Sequence, residues 1–503
     1  MTEIPIDNAS PAQKARGLRI IAVLSAVIVL AVLSMSGLSL AAILGILGLL
    51  SLAMLLNRPE WAVFAVTFAT FTNASFVLTG SLNFRFLTEL LILLLAVIAL
   101  LDRLAGRPLP RALPAAALVL GGYVASLAVS ALIAPYPDLA LEGAWRTARQ
   151  VITVLALVIV VSDGRRLRWA LSGVVAGVCM LAGLTVVQSV LGLQHINFLG
   201  FASSSLLHIA GEVDSWRITG PVTDPNYYGL ILLTALPLVA ERVVSAENVL
   251  IKALFALAVA AVLAAIVLTY SRGALVALML VLLVAFWNSR LLLLGVAAVA
   301  VLIWGFVALL SDALSLGFLE RLMIGLQDAM TAFTGDGQIQ DRAVAGRLSQ
   351  MLAAVILFLE NPVFGVGYDQ FEALYQDTAQ IHGLMARGED RQAHSLFLEI
   401  LAERGIVGAL IYGALVWFAI WSILRTKRLL VARGALKEAR VGTALILCFV
   451  GYFSASIFLH EAFSGYFWLL VALAISFAQS GSSPFSLRAS IPTTPFAKTG
   501  QDR

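Results

Sequence analysis

Charge is scarce in this chain. Asp, Glu, Lys and Arg make up 12% of its 503 residues, whereas 60% are hydrophobic and the mean hydropathy is +0.96. A soluble domain of this size must cover itself with polar side chains, so the composition excludes a globular protein and implies that the bilayer is the solvent. Cysteine is nearly absent. Cys179 and Cys448 both lie inside apolar runs, which excludes a disulfide framework and a cysteine zinc site. No Asp-x-Asp occurs, so the usual carboxylate pair for a divalent metal on a sugar nucleotide is missing. There is no phosphate-binding Gly-x-x-x-x-Gly-Lys loop and no Gly-x-Gly-x-x-Gly opening a helix. With no nucleotide site in view, the energy for any synthesis must reside in a substrate that arrives already activated. A lipid diphosphate at the outer leaflet fits that requirement. No metal, no cofactor and no nucleic-acid partner is expected.

What the chain has in quantity is apolar runs. A membrane span needs about 20 such residues, and candidates fall near 17–36, 38–56, 61–80, 86–101, 113–134, 147–161, 168–191, 225–240, 250–270, 273–287, 291–310, 396–424, 441–459 and 465–480. The crowded first pair and the short 273–287 run set the expectation at about 12–14 helices. The polar start, Met1–Arg16, has no cleavable signal pattern, and the run after it is too long for a signal core, so it reads as a retained first span.

Placing the N-terminus in the cytoplasm puts Arg103, Arg107 and Arg111, then Arg165, Arg166 and Arg168, then Arg425, Lys427, Arg428, Arg433, Lys437 and Arg440 on the inner side. All five lysines (Lys14, Lys252, Lys427, Lys437, Lys498) then lie inside, and all five histidines (His195, His208, His382, His394, His460) outside. This sort predicts N-in and C-in. The expected domains are a cytoplasmic segment 1–16, membrane helices over 17–310 with an outer loop 192–224, a large outer loop 311–393, C-terminal membrane helices over 394–480, and a disordered cytoplasmic tail 481–503. Within the large loop, Val344, Leu348, Met351, Leu352, Val355 and Leu359 recur at helical spacing. That helix should end at Asn361-Pro362, with a turn at Gly365-Val366-Gly367, and lie on the membrane surface or cap the bundle.

Arginines gather at the outer ends of the spans. Arg217 precedes Asp224-Pro225-Asn226, Arg272 stands in Ser271-Arg272-Gly273 between two apolar runs, and Arg347 lies on the loop helix. A guanidinium offers a planar fork that suits phosphate oxygens. The plainer reading is that each snorkels or pairs with an outer acid such as Glu212, Asp214 or Asp341. His394 opens a run in which Leu398, Leu401 and Gly405 would share its helical stripe, so Gly405 would let another helix approach closely. An imidazole there suits proton abstraction from a sugar hydroxyl, although an ordinary interfacial histidine has the same sequence signature.

Taken in order, Arg217-x-x-Gly220 with Asp224-Pro225-Asn226, Ser271-Arg272-Gly273, Gly346-Arg347 with Asn361-Pro362-x-x-Gly365-x-Gly367, and His394-x10-Gly405 resemble the O-antigen ligase and O-antigen polymerase superfamily. The resemblance runs from Arg217 to Gly408. It implies an all-α polytopic fold like that of lipid-dependent, GT-C-like glycosyltransferases, in the bacterial cytoplasmic membrane with the site facing the periplasm. It implies en bloc transfer of a glycan from undecaprenyl diphosphate to an acceptor sugar, the lipid A-core in ligases and another lipid-linked repeat in polymerases. His394 would be the general base and Arg217 and Arg347 would bind the diphosphate, with Arg272 beside them; Gly220, Asp224, Asn226 and Gly405 would be structural. Ligases often carry Leu four residues after the second arginine; here it is Met351. A polymerase is the first alternative. A lipid-glycan flippase would want ionisable residues near the midplane in matched halves, which the spans lack. A non-catalytic envelope scaffold would have no need of His394.

Overall fold

The computed structural model describes residue 52 and residues 54–209, 213–287, 342–385, 391–460 and 465–481. The expected spans 17–36 and 291–310, nearly all of 38–56, most of the first half of the large outer loop and the tail after 481 lie outside these residues.

The described chain is helical, as expected. Helices α1 (Pro59–Phe71), α2 (Ala74–Leu82), α3 (Leu87–Leu104), α4 (Leu113–Ser130), α5 (Pro137–Val160) and α6 (Gly164–Val190) lead to an antiparallel ribbon, β1 (Ser203–Ile209) and β2 (Val213–Gly220). Then follow α7 (Pro225–Ser245), α8 (Val249–Leu268), α9 (Arg272–Phe286), α10 (Arg342–Glu360), α11 (Phe371–Ile381), α12 (Leu396–Ala432), α13 (Leu436–Ala455) and α14 (Gly465–Ser480). Among the described residues seven helices are long and apolar enough to cross a membrane, or eight if α1 and α2 are one bent span.

The expected single span 61–80 is a correction. It breaks at Thr72-Asn73 with a 69° bend, because Asn73 adopts a left-handed backbone (φ 53°) and its side-chain N–H donates to the Pro221 carbonyl at 3.1 Å. The ribbon is an addition within the outer segment 192–224 that the helical pattern did not assign. The loop helix is as expected, and Asn361-Pro362 ends it.

In α14, 14 of the 16 residues are buried, and α7 is nearly as enclosed, so these two apolar helices form the centre of the bundle. By contrast α8 turns Leu250, Leu254 and Leu257 outward and α4 turns out Leu118. In lipid such exposure costs little, which is why helices apolar on every side can sit at the rim. One end of the bundle is pinned by a buried ion pair: Asp102 of α3 accepts from Arg166 of α6, whose Nη1 also donates to the Val160 carbonyl at 2.8 Å. The histidines and the arginines Arg217, Arg272 and Arg347 lie at the other end.

Candidate functional site

The site is assembled from loops and helix ends. Arg217 is carried on β2, where Ser205 is its cross-strand partner. Its Nε donates to the Thr269 carbonyl at 3.1 Å, and its Nη2 donates to Thr269 at 2.9 Å and Tyr270 at 3.3 Å. The first motif is thus bound to the turn between α8 and α9 that carries the second, Ser271-Arg272-Gly273. That turn needs a left-handed residue, Tyr270 (φ 52°), and restarts as a helix because the Ser271 hydroxyl caps the Ala274 N–H at 3.3 Å.

Gly220 ends β2 at φ 59°, and a Cβ there would stand 2.4 Å from the Tyr228 ring, so only glycine fits. Asp224 then caps α7: its Oδ1 accepts from the N–H of Asn226 at 2.6 Å and of Tyr227 at 3.3 Å, with Pro225 at the first helical position. Asp224 also lies close enough to Arg217 and His394 for its charge to act on both.

His394 is not on a helix, which corrects the expected stripe. It sits at φ 50°, two residues before α12 begins, a conformation that costs a side-chain-bearing residue about 1–2 kcal/mol. The turn is held from the far side. The Leu396 N–H, an orphan donor at the start of α12, donates to the carbonyls of Ser456 (3.1 Å) and Leu459 (2.8 Å) in the segment just after α13. Burial, and then the charge of Arg347, push the imidazole down to about 4; Arg391 acts in the same sense and Asp224 opposes. Burial also lowers Arg217, to about 10, with Asp224 opposing and Arg347 and Arg272 adding to the shift. Arg347 and Asp224 thus lie within electrostatic reach of both Arg217 and His394, and Arg272 within reach of Arg217, which makes the five one net-cationic cluster.

Gly405 is the second correction. It does not receive a neighbouring helix; it breaks α12, at φ 60° and ψ −164°, and the loop after α10 enters the gap. A Cβ on Gly405 would lie 2.4 Å from the Val363 carbonyl carbon, and one on Gly365 would lie 2.3 Å from that of Glu403. The two segments exchange hydrogen bonds as a small ladder: Val366 and Gly367 donate to Ala402 (2.9 Å) and Glu403 (2.8 Å), and Ile406 and Val407 donate to Pro362 (2.9 Å) and Val363 (3.1 Å). The Asn361-Pro362-x-x-Gly365-x-Gly367 motif and Gly405 are therefore two halves of one joint.

One residue of the cluster has no motif around it. His460, between α13 and α14, meets His394 edge-on with ring centroids 5.7 Å apart, and Tyr227 meets His460 in the same way at 5.2 Å. Tyr227 also donates its hydroxyl to the His460 carbonyl at 2.8 Å. Nδ1 of each histidine is buried and has no hydrogen-bond partner among the described residues. Burial, followed by the neighbouring His394, lowers His460 to about 3. The histidine sort expects it on the same side as His394, but its partnership with His394, 66 positions away, leaves no mark in the sequence. The other outer histidines differ where they are described. His195 is exposed, and His382 is exposed 3.5 Å from Glu360.

A helical bundle with seven or eight membrane-length apolar helices among the described residues, carrying an arginine-rich, histidine-bearing cluster at one end, defines a multi-pass membrane protein. Residues 257–413, about a third of the chain, match the family model described as O-Antigen ligase, which supports the likeness to the O-antigen ligase superfamily. The matched segment holds Arg272, Arg347, His394 and Gly405; Arg217, Asp224 and His460 lie outside it. No curated protein matches the chain.

Proposed function

We propose that the protein transfers a glycan en bloc from undecaprenyl diphosphate to an acceptor sugar, as an O-antigen ligase, at the periplasmic face of the cytoplasmic membrane. The observation that carries this reading is a neutral imidazole packed among arginines. At neutral pH His394 has a lone pair available, while Arg217, Arg272 and Arg347 supply the positive field that a departing diphosphate requires.

The chemistry is a single displacement. The acceptor hydroxyl oxygen attacks the anomeric carbon as His394 takes its proton. The bond from that carbon to the diphosphate oxygen breaks, and the electron pair leaves on the diphosphate. Inversion at the anomeric centre follows. An imidazole with a pKa near 4 is a weak base; burial is the larger cause, and the bound diphosphate offsets the smaller one, the arginine charges, so donor binding strengthens the base in part at the moment it is used. Because Nε and Nη2 of Arg217 are held by backbone carbonyls, its phosphate contact falls to Nη1.

The test is the surface polysaccharide of a deletion strain. Long chains stranded on the lipid carrier are the expected result. Single repeats on the carrier would make the protein a polymerase, and unchanged polysaccharide would remove the reading altogether.

A further inference from the structure

Beside the histidine pair lies a polar cavity of about 760 Å³, within the ~300–1,000 Å³ usual for ligand sites. It is enclosed by the start of α3, the first half of α5, the loop leading into α11 and the first turns of α12. His394, Arg217, Arg272 and Arg347 do not line it; His460 does. The imidazole of His460 is thus a wall shared by two compartments, the cationic cluster and this cavity.

Their charges are opposite in sense. Three arginines line the cavity against six carboxylic acids. Two of those arginines already face acids: Arg146 pairs with Asp369, and Arg149 lies 3.6 Å from Glu89. Glu403 is turned to the backbone, accepting from the N–H of Asp369 at 3.0 Å and of Phe371 at 3.1 Å. Among the described residues no three His, Cys, Asp or Glu side chains converge on a metal position, so the acids do not form a cation cage. Carboxylates with the amides of Gln150 and Gln392 and the hydroxyls of Ser75 and Thr88 are complementary to a surface of many O–H groups, which both donate and accept. A phosphate or carboxylate entering here would meet like charge.

We propose that this cavity binds the acceptor glycan as uncharged or amino-bearing sugar rings and discriminates against phosphorylated and carboxylated ones. The proposal rests on the transfer reading above. It also fits the displacement: the leaving group departs into the cationic compartment while the nucleophile arrives from the acidic one past His460, against whose ring the base His394 packs.

The experiment uses the full chain in lipid nanodiscs on an array of neutral, amino-sugar, uronate-containing and phosphorylated oligosaccharides. Binding should fall on the neutral and amino-sugar members. Ala373→Trp, which fills the cavity, should weaken it tenfold or more. The pair Glu142→Arg and Glu372→Arg should move preference toward the anionic members by a similar factor, and it carries the test if Ala373→Trp does not fold. Gly413→Ala, away from the cavity, should leave binding within about twofold. Preference for anionic glycans, no binding, or binding indifferent to the charge-reversed pair would each overturn the assignment. Glycan binding without transfer from a lipid-diphosphate donor would instead sink the transferase reading and leave the cavity standing, whereas transfer blind to acceptor charge would do the reverse.

Discussion

At the scale of single residues, burial and the Arg347 charge act on His394 in the same direction, and the sign of their effect can be followed in a pH profile. The free imidazole is neutral above about 4, so kcat/KM for transfer should stay level from neutral pH downward and fall only as pH drops through that value. Replacing Arg347 by Gln removes one of the influences that lower the pKa. The pKa must rise, and the acid limb should move to higher pH while the overall rate falls for want of a diphosphate partner. A limb that stays in place in Arg347→Gln would mean that the titrating base is another group. His394→Ala should cost about 10²–10⁴-fold in transfer by purified protein, with binding of the lipid-diphosphate donor retained. Wild-type rates in that variant would remove the base assignment.

The decisive feature at the scale of elements is the joint in α12. A 37-residue helix would be about 55 Å long, well beyond the ~30 Å hydrocarbon core. Breaking at Gly405 leaves the residues from Ile406 to Ala432, about 40 Å, to cross the membrane, and sets the short first segment at an independent angle under His394. Gly405→Ala must both strain a left-handed backbone and push Val363 aside, so it should lower the thermal midpoint and the membrane abundance of the protein. Gly413→Ala in the same helix meets no atom within 4 Å and should leave both unchanged or slightly raised. Equal effects of the two changes would mean that the joint is tolerant of a side chain and that the loop after α10 does not depend on it.

For the molecule as a whole, the bundle has two polar ends of different character. One holds the buried Asp102–Arg166 pair, and the other holds the histidines and the cationic cluster. The lysine and histidine sort puts the second of these outside. In a background with Cys179 and Cys448 replaced, single cysteines at Asp377 on α11 and Ala432 at the end of α12, both exposed, report on opposite ends. An impermeant thiol reagent applied to intact spheroplasts should label position 377 and spare 432. The opposite pattern would invert the protein and place the site in the cytoplasm, where an outer-leaflet donor could not reach it.

The sequence by itself determined the solvent, the helical class and the residue types of the site. Apolar periodicity and the scarcity of charge are local properties, and Asp224-Pro225-Asn226 announces a helix start through short-range capping that needs no tertiary contact. The end of α10 at Asn361-Pro362 was legible for the same reason. Tertiary structure alone decided that Asn73 bends a span and that Arg217 is tied by its Nε and Nη2 to the turn before Arg272. It also decided that Gly405 admits a loop rather than a helix, and that His394 lies ahead of its helix in contact with His460. Each of these depends on which distant backbone fills a gap or accepts a donor, and one chain position carries no record of that. The field that keeps His394 neutral is the clearest case: burial and the charges of Arg347 and Arg391 outweigh the opposing charge of Asp224, and the balance exists only once these separate segments are packed together.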